Sequence, residues 1–381
     1  MGISWLILSG PQALSQDDSQ RQTRLEDLGR MLFFDVNLSR DRTQSCATCH
    51  DPAQAFIDWR DNGVNGAASL GGDGMSLGDR NSPTLTYASM TPEFHRINEG
   101  EDQGEYAGGM FLDGRENDLE GQAGQPFLNP IEMAMPDPAG VISRIQENPV
   151  YNRPFTNLFG EDVFADTDKA YRALSSALAA FERTEFFSPF DSKYDRYLRG
   201  EYSPTREEEL GLTLFFSEQF TNCNQCHQLN ARPNTGRETF SNYVYENIGV
   251  PVNTRLRSAN GLGPDYVDHG LLGNPAIDDP AQDGKFKATT LRNVAITGPY
   301  MHNGVFQELR TVVLFYNKYN ARSSQSQINP ETGQSWGEPE VSANLALEEL
   351  ESAPALDDER IDALVAFMKM LTDRRYEHLL E

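Results

Sequence analysis

Two short stretches constrain this chain more than any others. One reads Cys46-Ala-Thr-Cys49-His50 and the other Cys223-Asn-Gln-Cys226-His227. Each is a C-x-x-C-H, the attachment signature of a c-type haem: two thiols bond the porphyrin and the adjacent histidine ligates the iron. The two motifs use all four cysteines of the 381-residue chain. No further cysteine remains to complete an all-thiolate zinc site. Neither motif stands in the βαβ context of a thioredoxin-like dithiol. Two structural disulfides or a redox dithiol are the competing readings.

Covalent haem attachment implies export, because bacteria assemble c-type cytochromes outside the cytoplasm. The N-terminus agrees: Ile3-Ser-Trp-Leu-Ile-Leu-Ser9, then Pro11-Gln-Ala-Leu-Ser15, reads as the end of a secretory leader. It lacks a basic n-region, so the leader reads as truncated. The expected mature protein is soluble and periplasmic. Charge narrows the partners. Asp and Glu number 57 against 32 Lys and Arg, a net of −25. That argues against nucleic acid and anionic membranes, and permits steering of a basic electron-carrier protein. Solubility alone is the plainer explanation.

The chain repeats more than its haem motifs. Glu26-Asp-Leu-Gly-Arg-Met-Leu-Phe-Phe34 precedes the first, and Glu208-Glu-Leu-Gly-Leu-Thr-Leu-Phe-Phe216 precedes the second. Six of nine positions match, which marks an internal duplication of helix, loop and haem motif. Helical spacing is further legible at Leu25–Phe34, Val141–Glu147 (ended by Pro149), Thr167–Phe187, Gln307–Asn320 and Asp357–Thr372. Ser203-Pro-Thr-Arg-Glu-Glu-Glu reads as a helix start with Pro204 in its first turn. Residues 16–24 read as mobile, 98–110 as an exposed loop, 228–290 as turns and 321–342 as a surface excursion. Strand signals are few. The expected fold is mainly α: two cytochrome-c-like haem domains with long irregular loops. The leader remnant and disordered start would occupy 1–20, the N-terminal haem domain 21–165 and the C-terminal haem domain 166–381, its tail packing back on the first.

The motifs in order resemble the bacterial dihaem cytochrome c peroxidases and their relative MauG, which matures the tryptophan cofactor of methylamine dehydrogenase. They are Leu28-Gly-x-x-Leu-Phe-Phe34, Arg80-Asn-Ser-Pro-Thr84, Asp113-Gly-Arg-x-x-x-Leu-Glu-x-Gln122, Asn129-Pro-Ile-Glu-Met133, Asn247-Ile-Gly-Val-Pro251, Lys285-Phe-Lys-x-x-Thr-Leu-Arg-Asn-Val294 and Thr297-Gly-Pro-Tyr-Met-His-Asn-Gly304. The resemblance spans residues 25–372.

It implies unequal irons. Many family peroxidases carry a distal histidine in the loop before Arg-Asn-Ser-Pro. Here that loop reads Ser69-Leu-Gly-Gly-Asp-Gly-Met-Ser76, and no histidine stands between His50 and His95. The His50 iron is therefore expected to be open to peroxide, with His95 and Met75 as rival ligands. Above it, Glu132 matches the family's acid–base carboxylate, Gln122 its partner amide and Pro126 a distal-pocket proline. The His227 iron takes its second ligand from Tyr316, Met301 or His302. Tyr316 ranks first, because the helix Val312-Val-Leu-Phe-Tyr316 has no methionine where the peroxidases have one and MauG has tyrosine. A phenolate is a hard donor that favours oxidised iron. Calcium between the haems would be held by the Asn81 side chain and the carbonyls of Thr297 and Pro299. Arg80, Arg115 and Arg292 match haem-propionate partners or structural ion pairs.

Two positions depart from the pattern. Leu112 stands where the family often has a relay tryptophan, and Thr221 where MauG has a surface tryptophan. The favoured reading is therefore a dihaem peroxidase that reduces H2O2 with electrons from a cytochrome c or cupredoxin. A MauG-like oxidase of a protein substrate comes second and a plain dihaem carrier third. Family members are often homodimers.

Overall fold

The computed structural model describes residues 16–97, 104–229 and 237–380. The leader reading of residues 1–15 lies outside them, as does part of the loop expected at 98–110. The helices are α1 (Gln16–Phe33), α2 (Cys46–Cys49), α3 (Leu119–Leu128), α4 (Pro138–Glu147), α5 (Pro149–Phe159), α6 (Thr167–Glu182), α7 (Lys193–Leu198), α8 (Arg206–Phe215), α9 (Thr254–Ala259), α10 (Leu309–Asn317), α11 (Leu347–Leu350) and α12 (Asp358–Lys369). Three two-stranded antiparallel ribbons complete the regular structure. They pair β1 (His95–Ile97) with β2 (Glu105–Ala107), β3 (Tyr245–Glu246) with β4 (Phe286–Lys287), and β5 (Ile328–Asn329) with β6 (Gln334–Ser335). The fold is mainly α with long loops.

Local chemistry explains the helix boundaries. Asp118, Asp166 and Asp357 each accept a backbone N–H three residues on, at the starts of α3, α6 and α12. Thr205 and Glu208 form a reciprocal capping box at α8. Pro204 therefore stands just before the cap and not in the first turn. Pro149 does close α4, but it also opens α5, with Asn148 capping it from the preceding position. Residues 16–24 are helical, the exposed first half of α1. Part of the excursion at 321–342 folds back as the β5–β6 ribbon, and Trp336 is buried there, its indole donating to Ser326 O at 2.8 Å.

Two hydrophobic cores organise the chain. The first gathers Leu28, Leu32 and Phe33 of α1 with Phe127, Ile145, Phe155, Leu174, Leu178, Phe181 and Phe187. The second gathers Leu214 and Phe215 of α8 with Leu309, Val313, Ile361, Leu364 and Phe367. Each is built around one crossing of two helices. α1 packs on α6, and α8 packs on α12.

Glycine sets both crossings. A Cβ on Gly29 would lie 1.9 Å from Ala177 O and 2.8 Å from Phe181 Cβ. A Cβ on Gly211 would lie 1.8 Å from Ala363 O and 2.8 Å from Phe367 Cβ. The facing segments are Ala177-Leu-Ala-Ala-Phe181 and Ala363-Leu-Val-Ala-Phe367. The duplication thus includes the second helix of each pair, so α6 is the counterpart of α12. The division expected at residue 166 does not follow the packing: α6 and Phe187 belong to the first core. Residues of the C-terminal tail bond to segments of the first half of the chain. Tyr376 Oη donates to Pro52 O at 2.8 Å, and Tyr87 Oη donates to Asp373 at 2.5 Å.

Candidate dihaem site

The first motif forms the short helix α2, and His50 N donates to Cys46 O at 2.9 Å. The second forms a tighter turn, and His227 N donates to Cys223 O at 3.0 Å. Beyond this the two sites share a device. His50 Nδ1 lies 3.1 Å from Phe56 O, and His227 Nδ1 lies 3.0 Å from Phe240 O. Each carbonyl fixes the proton on Nδ1 and leaves Nε2 for a metal. Phe56 and Phe240 both adopt the left-handed backbone, at φ 57° and 55°. Such a conformation costs about 1–3 kcal/mol in a non-glycine residue. Full burial of each phenyl ring offsets it at about 2–3 kcal/mol. The ring is anchored in its core and the carbonyl is aimed at the histidine. Burial depresses the pKa of both histidines, which keeps the imidazoles neutral as ligation requires. The four thiols form no disulfide. The residues therefore fit two covalently held haems.

Gln122 and Pro126 stand one turn apart on α3 and so share a face. Glu132 follows in the turn after that helix. Asn129 Nδ2 donates to its carboxylate at 2.8 Å, and Gly72 N donates to its main-chain carbonyl at 2.7 Å. Burial raises the Glu132 pKa, against the opposing pull of Asn129 and Arg115. The carboxylate lies within electrostatic reach of Cys46 and Cys49. The two rival ligands point elsewhere. His95 is exposed on β1 with Nδ1 2.8 Å from Glu93 O, and Met75 is 83% exposed.

Over the second motif stands Tyr316 of α10. Burial raises its pKa first, and then the thiols of Cys226 and Cys223 do. The phenol is thus brought to the second motif. Met301 sits in a left-handed turn, packed beside the Phe306–Phe315–Trp336 cluster. His302 is committed to other partners. It stacks on Phe286 at 3.7 Å, lies 3.7 Å from Glu340, and accepts from Asn81 N at its carbonyl.

The three arginines are ion-paired. Arg80 bridges Asp113 at 2.6 Å and Asp268 at 2.7 Å, and Arg115 joins Asp113 at 2.8 Å. Arg292 is wholly buried against Asp195, with Nη1 at 2.5 Å and Nη2 at 2.9 Å. Its guanidinium also donates to Glu238 O and Ser192 Oγ. Arg292 is therefore a structural ion pair, its planar fork occupied by one carboxylate. Asn81 and Pro299 both border Gly66. Asn81 Nδ2 donates to Gly66 O at 3.3 Å, and a Cβ on Gly66 would meet Pro299 Cδ at 3.4 Å. Thr221 is buried, its hydroxyl donating to Leu214 O at 2.6 Å.

Three residues of the sites escaped the sequence reading. Nothing in the residue type marks Phe56 or Phe240 as histidine-holding carbonyls. Glu182 did carry a signal, as the lone acid on an apolar face of α6. It is buried beside Cys46, and burial pushes its pKa up to about 8.

The chain is similar to known proteins along most of its length. The family described as Di-haem cytochrome c peroxidase matches residues 23–203. The methylamine utilization protein MauG of Paracoccus denitrificans is 56% identical over 370 residues, which is 97% of this chain and 92% of that protein. The cytochrome c551 peroxidase of Nitrosomonas europaea is 30% identical over 74% of this chain and 69% of its own. Among solved structures, the dihaem peroxidase BthA of Burkholderia thailandensis superposes with a TM-score of 0.80 at 31% identity. That match covers 93% of this chain and 87% of that one.

Proposed function

Since the chain belongs to the dihaem cytochrome c peroxidase and MauG family, and is thereby a dihaem oxidoreductase, we propose that it works in the MauG manner, with peroxide as acceptor and a protein as the source of electrons. The observation that carries this reading is Tyr316 at the second motif. The 56% identity to a MauG, against 30% to a peroxidase, supports the same order. It reverses the order favoured by the residues alone, where Leu112 and Thr221 weighed against MauG-like chemistry.

Bound at the two motifs, the haems would supply a centre that reacts with peroxide at His50 and a second redox centre at His227. The protein does the rest. Glu132 takes the proton from the near oxygen of peroxide and delivers it to the far one. Its burial keeps it competent to hold a proton, and the Asn129 amide fixes its direction. Gln122 and Pro126 shape the pocket and orient peroxide or water. At the second motif Tyr316 would supply a hard oxygen donor that favours the oxidised state, which would suit that centre to share oxidising equivalents and not to store electrons. Asn81, Thr297 and Pro299 would hold calcium between the two. The site of action is the periplasm, and no described helix is long and apolar enough to cross a membrane.

The test is spectroscopic. The resting ferric protein is expected to show one high-spin and one low-spin haem, both responding to peroxide within a mixing time. Two low-spin haems inert to peroxide would reduce the protein to an electron carrier. Fast turnover with a reduced cytochrome c or cupredoxin, and none with a protein side chain as reductant, would restore the peroxidase reading.

A further inference from the structure

Trp59 is the most exposed large aromatic side chain among the described residues, at 62%. An indole left in water needs a reason, because tryptophan is usually well covered. Its position supplies one. Trp59 Nε1 donates to Asp51 Oδ2 at 3.0 Å, and Asp51 is the residue after His50. The next residue, Arg60, places its guanidinium 3.6 Å from Cys49 Sγ. The segment between, 51–57, closes on itself by an Asp51–Ile57 bridge and contains the Phe56 carbonyl that holds His50. Trp59 is thus one hydrogen bond and one peptide link from the proximal histidine, yet its ring faces solvent.

Trp59 lines a cleft of about 1080 Å³ whose walls include Leu309 and Val365 of the second core. Asp61, Glu207, Glu308 and Asp362 lie along it, against Arg310 and Lys369. The acid surplus matches the whole chain, at −25. Such a surface draws a basic partner by long-range attraction.

We propose that Trp59 is the port through which a docked basic protein passes electrons to the first haem site. The inference rests on the peroxide reading of that site. Each transfer moves one electron. The indole gives one electron inward, and its N–H proton stays on the nitrogen, held by the Asp51 carboxylate. That negative charge at hydrogen-bond distance stabilises the indole cation radical. One electron from the partner then restores the ring. Two passes reduce one H2O2, with two protons from solvent, to two waters. Thr221 cannot serve as such a port, being an aliphatic hydroxyl buried under Leu214.

The experiment uses the haem-loaded enzyme, Trp59→Phe and Trp59→Tyr, with a reduced basic cytochrome c as electron-giving protein. Without the cytochrome, peroxide is expected to produce in the wild type an organic radical whose hyperfine pattern narrows on ring-deuterated tryptophan. Peptide mapping should find oxygen added at Trp59. Trp59→Phe should lose both while its haem spectrum still responds to peroxide. With the cytochrome, oxidation by Trp59→Phe should fall about tenfold or more, and Trp59→Tyr should recover part of the loss. Added salt should slow the wild type. A wild type that ignores peroxide would sink the enzyme reading itself. A responsive wild type with Trp59→Phe equally fast overturns the port alone. Equal loss in Phe and Tyr, with the radical unchanged, also overturns it, by making Trp59 a docking contact.

Discussion

The two helix crossings make a prediction that can be worked from distances. Replacing Gly29 by alanine puts a methyl 1.9 Å from Ala177 O; replacing Gly211 puts one 1.8 Å from Ala363 O. Both obstacles are backbone oxygens, so no side chain can rotate away. Ordinary contact requires the helices to part by about 1.5 Å at the crossing, and a gap of that size forfeits about half or more of each dispersion contact around it. Overpacking of this kind costs about 1–3 kcal/mol or more. Alanine returns about 1 kcal/mol through helix propensity, but Phe181 and Phe367, each 2.8 Å from the new methyl, lose their seats as well. The expected net is a destabilisation of about 2–4 kcal/mol in each variant. Thermal unfolding of the haem-loaded protein should show lowered midpoints for both. The spectra should separate them: Gly29→Ala perturbs the high-spin haem, and Gly211→Ala the low-spin one. An alanine variant as stable as the wild type would refute the idea that close backbone approach sets these crossings. A variant that disturbs the wrong haem would refute the pairing of α1 with α6.

Three further outcomes are expected. Glu132→Gln keeps an oxygen for Asn129 to bond but cannot carry a proton; stopped-flow mixing with peroxide should show about a hundredfold slower reaction at the high-spin haem, and a few-fold effect would remove Glu132 as the acid–base group. Tyr316→His should change the low-spin electron paramagnetic resonance signal and leave the high-spin signal in place; an unchanged low-spin signal would exclude Tyr316 as the ligand. Glu182 is a buried acid with its pKa raised from 4.5 to about 8, so folding favours its protonated form, and its contribution to stability is lost as pH rises through that window. Glu182→Gln should therefore gain stability over the wild type progressively between pH 5 and 8, on the order of 4 kcal/mol in total. A pH-independent difference in urea midpoints would show that Glu182 does not ionise there.

What was legible in the sequence is what is local. The haem motifs are contiguous, and their chemistry is written in residue type. α12 announces itself by Ile361, Leu364 and Met368 at helical spacing, capped by Asp357. The partner of α1 was harder. Thr167–Phe187 reads as a helix from its own residues, and α6 ends at Glu182, but its allegiance depends on a crossing some 150 residues away. The signal existed in Ala177-Leu-Ala-Ala-Phe181 and Ala363-Leu-Val-Ala-Phe367, which share four of five positions. Their force is visible only when each is set against its glycine. Arg292 shows the opposite limit. A motif arginine suggests an anionic ligand, yet one buried carboxylate, Asp195, nearly a hundred positions earlier, occupies it.

The carbonyls that hold the histidines were beyond residue-level reading for a physical reason. A phenylalanine at φ near +57° has no local preference for that conformation. It is held there because the ring is captured by a core assembled from distant segments. Phe56 stacks on Phe187 at 4.4 Å, and Phe240 meets Tyr194 at 5.0 Å. The same helix pairs that the glycines bring together therefore also orient the proximal ligands. This makes the duplication a duplication of proximal architecture, from crossing glycine to core ring to carbonyl to imidazole. The distal sides do not follow it. The residues proposed for them, Glu132 after α3 and Tyr316 on α10, come from unrelated segments. The two halves thus share a proximal plan, and on the proposed reading their distal residues would set the two centres apart.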